Sequence, residues 1–311
     1  MRRDGPVLVI GAAGIDVKGR PSDPLQMGTS NSGMVRNSVG GVARNIAENL
    51  ARLEVPTILL SAVGQDHTGD FVLQHTAAAG VDTSHVLRLP DWHTGSYVAI
   101  HDENGQLLVA VSEYDIVSQI SPAYLQRCRT LFARAAMIVL DGNLTPRALE
   151  SVFRWARRYE VPVCADPTSP ALATKFIPYL PHLLMVAPDA SEAAVLCSAD
   201  TVPATSTAAI QTAQCLVSMG VEIAIVTMAE QGLAYANGSS AGHIPALRTR
   251  IVDPTGTGDA VTAAVIFGLL HEMPIDEAVR LGVSAGALTL STRETVVPDL
   301  SLDRLYDALI V

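Results

Sequence analysis

Residues 253–270 read DPTGTGDAVTAAVIFGLL, a glycine-rich turn followed directly by a long apolar pattern that is typical of a buried helix. The first amides of a helix have no partner within it, and the helix dipole adds about half a positive charge at that end. Such a turn is suited to binding a phosphate, although a tight turn with an ordinary helix cap has the same composition. Asp253 and Asp259 flank the glycines, where a carboxylate should repel an anion. An anion site here would need these two acids to have other tasks.

Short apolar runs rich in β-branched residues recur along the rest of the chain, and stretches with helical period lie between several of them. Such runs are typical of strands that are buried on both faces of a parallel sheet. The helical period is clearest at residues 45–53 and 147–159. Strands alternating with helices predict an α/β sandwich with right-handed crossovers. The predicted strands are residues 7–10, 57–62, 137–140, 161–165, 183–186 and 223–227, and the last third is predicted to be helical over 257–271, 275–289 and 302–309.

Two regions, residues 18–39 and 95–115, interrupt this alternation. The first is rich in Ser, Asn, Gly and Pro and has little helical period. The second contains SYVAIHD and QLLVAVSEY, two strand-like runs joined around Asn104 and Gly105, a dipeptide that favours a hairpin turn. We expect the two regions to pair into a small sheet that stands off the main body as a lid. The chain, residues 1–311, is otherwise predicted to form a single large domain.

Composition and charge narrow the class of protein and of partner. Of the 311 residues, 49% are hydrophobic and 17% charged, and the mean hydropathy is +0.29, as in a rather apolar globular protein. The net charge is −10 and no cluster of Lys and Arg is longer than a pair, which disfavours a nucleic-acid polymer or an anionic membrane as partner. The cysteines form no C-x-x-C pair and the histidines no H-E-x-x-H motif, so zinc is not predicted. Without a convincing signal peptide or a bilayer-spanning run, we expect a cytoplasmic protein.

Two other polar features accompany the predicted strands and helices. Gly40 and Gly41 lie just before the predicted helix at 45–53, and Asn45 could both donate to and accept from a hydroxyl group. Asp16 is assigned to the end of the first strand, and ligands of open α/β sheets bind outside the carboxyl ends of strands. A hinge with a helix cap explains the glycines without a ligand, and an exposed turn explains Asp16 equally well. No P-loop or dinucleotide-binding glycine motif occurs.

Asp189 and Glu192 belong to the segment PDASEAAVL, which follows the predicted strand at 183–186. Two acids three residues apart project together from a helix and could hold Mg²⁺ through water. The same spacing is that of a capping box, in which each side chain accepts a hydrogen bond from the other residue's amide. The sequence leaves both interpretations open.

Together these motifs resemble those of the ribokinase-like PfkB family of sugar and nucleoside kinases, and the resemblance covers essentially the whole chain. Members carry an early Asp, a G-G-x-x-x-N segment, an N-x-x-E motif and D-T-x-G-A-G-D near the carboxy terminus. The matching residues are Asp16, Gly40, Gly41 and Asn45 for the first two motifs, and Asp253, Gly256, Gly258 and Asp259 for the last. The resemblance implies a three-layer α/β/α sandwich with a mainly parallel sheet and a β-sheet lid. It also implies phosphoryl transfer from ATP with Mg²⁺, and a potassium site beside the turn.

The resemblance further implies a role for each matched position. Asp259 would accept the proton of the attacking hydroxyl, and the backbone at Gly256, Thr257 and Gly258 would stabilise the transferred phosphoryl group. The residues implied for the acceptor are Asp16, Asn31, Gly40, Gly41, Asn45, Tyr97, Asp141 and Lys175. Those implied for ATP are Asp189, Thr227, Gly232, Thr255 and Ser284, with Mg²⁺ near Glu192 and K⁺ near Asp253. Because family members often pair through their lid strands, a homodimer is also expected.

Within the family, several stretches are similar to the pseudouridine kinases: residues 29–53, 96–111, 141–144, 166–169 together with Lys175, and 287–301. This similarity implies pseudouridine as the acceptor, with ribose, fructose or another nucleoside as the alternative. The chain departs from the pattern in several places, since Asp189 replaces an Asn, Ala229 replaces a glycine, Pro254 and Thr257 replace a Thr and an Ala, and SEYD at 112–115 replaces an Asp-Met pair. The first two also allow a third interpretation, a nucleoside-binding protein without catalysis.

Overall fold

A computed structural model describes residues 4–310, so Arg2 and Arg3, which precede the first apolar run, lie outside the described residues. The strands are β1 (Val7–Ile10), β2 (Gly14–Pro21), β3 (Gly33–Gly40), β4 (Thr57–Leu60), β5 (Ala62–Gly64), β6 (Leu87–Leu89), β7 (Gly95–His101), β8 (Leu107–Glu113), β9 (Met137–Asp141), β10 (Val163–Asp166), β11 (Met185–Val186), β12 (Ile223–Thr227), β13 (Leu233–Asn237) and β14 (Ala241–Ile244). The α-helices are α1 (Val42–Arg52), α2 (His67–Ala78), α3 (Pro122–Arg127), α4 (Arg129–Arg134), α5 (Pro146–Tyr159), α6 (Pro170–Ala173), α7 (Ala190–Leu196), α8 (Ser206–Ser218), α9 (Thr257–Leu270), α10 (Ile275–Leu290) and α11 (Leu302–Ile310). Within residues 4–310, no helix has both the length and the apolarity that crossing a membrane requires.

The central sheet has eight strands in the order β14–β13–β12–β11–β10–β9–β1–β4. Its strands from β12 to β4 pair in parallel, and β13 and β14 add an antiparallel edge. The central strand β1 shows why helices cover both faces. Val7 and Val9 belong to the core that includes α1 and α9, whereas Leu8 and Ile10 belong to the core that includes α5 and α8. The predicted α/β/α sandwich with a mainly parallel sheet is confirmed.

The predicted strand at 57–62 does not run through its full length. β4 ends at Leu60, and the chain leaves the central sheet at Ser61, whose hydroxyl donates to the carbonyl of Gly11 (2.7 Å). β5 then pairs with β6 in a separate two-stranded sheet. The sequence does not predict α8, because its residues, STAAIQTAQCLVS, show little apolar periodicity.

A second sheet contains four strands in the order β3–β2–β7–β8, and β7 and β8 form the predicted hairpin around Asn104 and Gly105. It begins at Gly14, not at residue 18, because β2 pairs with β3 and β7 from its first residue onward. Asp16 therefore does not end the first strand, as the sequence suggested. It lies on β2, within this four-stranded sheet.

Candidate active site

A cleft of about 890 Å³, here called the polar cleft, lies between the four-stranded sheet and the turn before α9. Ala12, Asn143 and Thr168 line it, and they follow β1, β9 and β10, so the cleft opens at the carboxyl ends of parallel strands. Of the residues singled out in the sequence, it brings together Asp16, Gly41, Asn45, Tyr97, Lys175, Asp189, Thr255, Gly256 and Asp259. Segments that are far apart in the chain thus meet at one site.

The turn before α9 needs a glycine at its last position. Gly256 is the N-cap of α9 and has a left-handed backbone, with φ of 82°. A Cβ at this position would lie 2.1 Å from the carbonyl oxygen of Thr295. Since no side chain fits there and few residues adopt this φ, the turn can close only around glycine.

Three amides of this turn are free to bind an anion. Within residues 4–310, the amides of Gly256, Gly258 and Asp259 have no acceptor, and we call these three amides the anion cradle. The amide of Thr257 does not belong to it, in contrast to the role that the resemblance implied, because it donates to the carbonyl of Pro254 (3.3 Å). A Cβ at Gly258 would meet no atom within 4 Å, so the space in front of the cradle is open. The start of α9 can therefore receive a phosphate.

Asp259 is in the first turn of α9 and lines the polar cleft. The residue is only 7% exposed, and its Oδ2 accepts a hydrogen bond from Nδ2 of Asn45 (2.6 Å). Burial raises the pKa of Asp259 to about 7, the charges of Asp16 and Asp141 add to this, and Asn45 and Arg44 oppose it. A carboxyl group with such a pKa can take up and release a proton near neutral pH.

A buried arginine, which the sequence analysis missed, holds Asn45 in place. Arg44 is fully buried and donates to Glu48, to Oδ1 of Asn45, to the carbonyl of Val39 (3.0 Å) and to Oγ1 of Thr295 (3.1 Å). Since Asn45 in turn donates to the carboxylate on α9, these residues form one hydrogen-bonded chain behind the cleft. A signal was present in the sequence, because Arg44, directly before the helix predicted at 45–53, and Glu48 are oppositely charged and four residues apart.

Asp16 and Tyr97 face the polar cleft from the four-stranded sheet, where they are neighbours in the register of β2 and β7. Burial raises the pKa of Asp16 to about 6, although Lys18 and Arg44 oppose the shift. Gly40, on the neighbouring strand β3, lies against the side chain of this acid, and a Cβ there would be 2.1 Å from Oδ1 of Asp16. The glycine therefore makes room for the carboxylate and does not itself line the cleft.

Asp141 and Lys175 support the cleft by binding its backbone. Asp141 is fully buried, and its oxygens accept hydrogen bonds from the amides of Ala12 (2.7 Å), Ala43 (3.2 Å) and Asn143 (2.9 Å). Lys175 lines the cleft while its Nζ donates to two carbonyls of the loop after β9 (2.8 and 3.2 Å). Asp141 thus lies behind the wall of the cleft, and Lys175 forms part of it.

Two residues that the resemblance assigned to the site lie elsewhere. Asn31 is in the loop between β2 and β3, where its side chain bonds to the backbone of Gln26 (2.8 and 2.9 Å) and Thr29 (3.1 Å). Ser284 is fully buried in α10, and its hydroxyl donates to the carbonyl of Leu305 (2.6 Å). Ser284 therefore holds α10 against α11 and has no access to a ligand.

A second cleft, of about 420 Å³, opens on the other side of the turn and is here called the apolar cleft. Apolar side chains of α9, α10 and the loop at 246–251 form most of its wall, and Thr227, Gly232 and Gly258 also line it. Asp189 and Pro254 line both clefts, so the two meet at the start of α9. The apolar walls suit a flat aromatic ring, and the anion cradle lies where a phosphate chain would pass from one cleft to the other.

Asp189 and Glu192 form a capping box at the start of α7. Oδ1 of Asp189 accepts from the amide of Glu192 (2.8 Å), and Oε2 of Glu192 accepts from the amide of Asp189 (2.8 Å). Glu192 is buried and lines neither cleft, and burial, with the charge of Asp189, raises its pKa to about 7. Of the two interpretations of these acids, the structure shows the cap. Among the described residues, no three His, Cys, Asp or Glu side chains could together enclose a metal ion.

Asp253, the other acid of the turn, is paired with a lysine that the sequence analysis did not single out. Nζ of Lys18 lies 2.7 Å from Oδ2 of Asp253, and the amide of Thr255 donates to Oδ1 (2.9 Å). Burial would raise the pKa of Asp253, but hydrogen bonds from Lys18 and Thr255 outweigh it and hold the pKa below its usual range. A cation from the four-stranded sheet thus neutralises the acid beside the anion cradle.

Comparison with known proteins shows the family and the fold of the chain. The model of the pfkB family carbohydrate kinases matches residues 5–301. The chain belongs to the PfkB family.

Escherichia coli pseudouridine kinase is 33% identical to this kinase over 304 residues, which is 97% of this chain and 96% of the relative. The guanosine-inosine kinase of Exiguobacterium acetylicum is 29% identical over 96% of this chain and 99% of its own. Arabidopsis thaliana ribokinase, solved with ribose and ATP, superposes with a TM-score of 0.81 at 20% identity over 99% of both chains, and shows the ribokinase-like fold.

The free energy of unfolding of this kinase should fall as pH rises from about 5 to 8, by roughly 1–3 kcal/mol. Burial raises the pKa values of Asp16, Glu192 and Asp259 to about 6, 7 and 7, so the folded protein keeps protons that the unfolded chain has released. Below these pKa values the three carboxyl groups are protonated in the folded protein and carry no buried charge. The free energy of unfolding falls as the pH rises through these values. Urea unfolding at pH 5 and pH 8 measures the change. A stability that stays constant or rises over this range would contradict the raised pKa values.

Proposed function

We propose that this kinase transfers the γ-phosphoryl group of ATP to the O5′ hydroxyl of pseudouridine. The observation that carries the proposal is the position of Asp259, a buried carboxyl group beside the anion cradle, where the polar and apolar clefts meet. Kinases of the PfkB family are phosphotransferases with an alcohol acceptor and use ATP and Mg²⁺. In this proposal the adenine of ATP lies in the apolar cleft and the nucleoside in the polar cleft.

Asp259 would act as the general base. Its Oδ2 is bound to Asn45, and its Oδ1 has no partner among the described residues and is free to accept the proton of the O5′ hydroxyl. As that proton moves to Asp259, the bond from O5′ to the γ-phosphorus forms, the bond from phosphorus to the β–γ bridging oxygen breaks, and ADP leaves. A pKa of about 7 gives the carboxylate form a substantial population at neutral pH.

The anion cradle would stabilise the phosphoryl group in transit. Phosphoryl transfer depends mainly on positioning and on stabilising charge, and fixed amides supply both without reorganising during the reaction. The four-stranded sheet, which carries Asp16 and Tyr97, would close over the polar cleft as a lid. Closure would exclude water that could otherwise take the phosphoryl group.

Asp189 would hold Mg²⁺ through water. It lines both clefts, whereas Glu192 is buried behind it, so Asp189 is the carboxylate of this pair that lies nearer to the phosphate path. Mg²⁺ keeps several of its waters and commonly binds through one or two carboxylates and the substrate phosphates, which fits this donor set. When bound, the ion would neutralise charge on the phosphate chain.

Two observations support pseudouridine as the acceptor. The first is the 33% identity to E. coli pseudouridine kinase along nearly the whole chain. The second is that Asn45, Tyr97 and Lys175, which belong to the similar stretches, line the polar cleft together with Asp16. A purine nucleoside is the alternative acceptor, because one relative of this chain is a guanosine-inosine kinase.

A substrate panel tests this function. We expect ADP release with ATP and Mg²⁺ to be faster with pseudouridine than with uridine, adenosine, guanosine, inosine, ribose or fructose, by about tenfold or more in kcat/KM. Mass spectrometry should find one phosphate added to the nucleoside. Preference for another member of the panel would retain the reaction and replace the acceptor. Nucleoside binding without ADP release would favour the non-catalytic alternative, which Asp189 and Ala229 support.

We also propose that two copies pair through the outer face of the four-stranded sheet. Val35, Val98, Val109 and Val111 are all exposed there, and Val98 and Val111 are direct neighbours in the register of β7 and β8. Contiguous exposed apolar side chains of this kind are unusual on a monomer and are typical of an interface. Light scattering should give the mass of a dimer, and a monomer at all concentrations would contradict the proposal.

A further inference from the structure

The ion pair between Lys18 and Asp253 joins the four-stranded sheet to the turn before α9. Nζ of Lys18 lies 2.7 Å from Oδ2 of Asp253, and the two side chains are only 12% and 21% exposed. The other oxygen of Asp253, Oδ1, accepts a hydrogen bond from the amide of Thr255 (2.9 Å). Both oxygens of this carboxylate are therefore already bound by donors of the chain itself.

An unpaired charge at Asp253 would oppose the binding of a phosphate. Asp253 precedes Gly256, the first residue of the anion cradle, by three positions, and it shapes the turn between them through Thr255. Unit charges in a partly buried site interact much more strongly than in water. The ammonium group of Lys18 therefore cancels most of the field that Asp253 would otherwise exert on the cradle.

The family resemblance implied a potassium ion near Asp253, and the atoms that surround the Asp253 carboxylate do not fit one. A monovalent cation needs oxygen atoms that are free to face it. Here one oxygen of Asp253 faces an ammonium group and the other faces an N–H donor, and both would repel a cation. We infer that Lys18 itself supplies the positive charge that a bound cation would bring to Asp253, and that this kinase needs no potassium.

Lys18 lies on β2, the strand that also carries Asp16. Side chains two residues apart on a strand point to the same face, and both Asp16 and Lys18 line the polar cleft. The strand that carries the acid proposed to bind the nucleoside thus also carries the charge that balances the anion cradle. A displacement of β2 would alter both.

The test compares the wild-type protein with Lys18→Met in KCl and in tetramethylammonium chloride at equal ionic strength. Melting temperature needs no substrate, whereas ADP release with pseudouridine rests on the proposed function. The wild-type protein should show the same melting temperature in both salts and rates within about twofold of each other. In tetramethylammonium chloride, Lys18→Met should lose about tenfold or more in rate, because the carboxylate of Asp253 loses its partner. KCl should partly restore both the rate and the melting temperature of this variant.

Arg20→Met is the matched control, because Arg20 lies two residues further along β2 and bonds to the carbonyl of Glu103 instead of to the turn. It should respond equally to the two salts. A wild-type protein that KCl stabilises or activates several-fold would overturn the inference, as would a Lys18→Met protein that behaves like the wild type. If Lys18→Met does not fold, the wild-type comparison decides alone. If no acceptor is phosphorylated, the proposed function fails, and the melting temperatures still decide this inference.

Discussion

Asp259→Asn is expected to lower kcat by about 10²–10⁴-fold, which is the usual loss when a general base is removed. Asparagine has nearly the same shape as aspartate, and its amide oxygen can still accept the hydrogen bond that Asn45 donates over 2.6 Å in the wild-type protein. The polar cleft should therefore persist while the group that takes up the O5′ proton is lost. ADP release at saturating ATP and nucleoside measures the effect. Activity within about tenfold of the wild type would contradict the assignment of the base.

The same substitution should make the protein more stable above pH 7. There the wild-type protein keeps a buried carboxylate ionised, which is the unfavourable form for a group whose pKa burial has raised to about 7. Asparagine removes this charge, so the free energy of unfolding at pH 8 should rise by roughly 1–3 kcal/mol. Urea unfolding of both proteins at pH 8 provides the control. An inactive variant that is also less stable would indicate a disrupted site and not a missing base.

Arg44→Met is expected to weaken both stability and activity. Arg44 is fully buried and pairs with Glu48, and removing one partner of a buried ion pair typically destabilises a protein by about 3–5 kcal/mol. Asn45 would also lose the donor that orients its amide, so the bond from Asn45 to Asp259 would no longer have a fixed geometry. Because small misplacements of reacting groups can slow a reaction by about 10²-fold, kcat should fall by a comparable factor.

The pH profile separates this positioning role from a loss of stability alone. The charge of Arg44 lowers the pKa of Asp259, so removing it should raise that pKa further above its usual range. A base works in its deprotonated form, and the acid limb of the plot of rate against pH should therefore move to higher pH. A purely structural role for Arg44 would lower the rate of the folded protein without moving this limb.

Arg52→Met is the matched control for Arg44→Met. Arg52 also binds Glu48 from α1, but its side chain is 19% exposed and makes no hydrogen bond to Asn45 among the described residues. It should destabilise the protein less than Arg44→Met does, because Glu48 keeps its ion pair with Arg44, and it should leave the pH profile unchanged. Arg44→Lys, which keeps the charge, should restore part of the profile. A wild-type rate and pH profile in Arg44→Met would contradict the positioning role.

Much of the main fold could be predicted because strands and helices have local signatures. Residues 7–10 and 223–227 are strands with the predicted bounds, since each is a short run of buried β-branched residues. The glycine-rich turn before α9 could also be predicted from a short stretch of sequence, because the free amides at a helix start follow from helix geometry alone. Asp16 was assigned to the wrong strand because nothing in the local pattern shows that the chain leaves the central sheet after β1 and starts a second one.

The contacts that define the site join segments far apart in the chain, and local patterns carry no record of them. Asn45 and Asp259 are separated by 214 residues, and Lys18 and Asp253 by 235. The pattern of Asp189 and Glu192 suited both a cap and a metal site, and the hydrogen bonds in the folded chain show the cap. The burial of Ser284 likewise depends on the packing of α11 against α10.

The sequence by itself determined the layered fold, the turn before α9 and the residue types available for phosphoryl transfer, because periodicity and backbone geometry act over a few residues. Only the tertiary structure decided which of the two acids in that turn is free. Asp253 is neutralised by Lys18, whereas Asp259, which lines the polar cleft, has a hydrogen-bond partner at only one of its two oxygens among the described residues. The charge and pKa of a buried acid depend on neighbours brought together by folding, and those neighbours come from strands and helices distant in the chain.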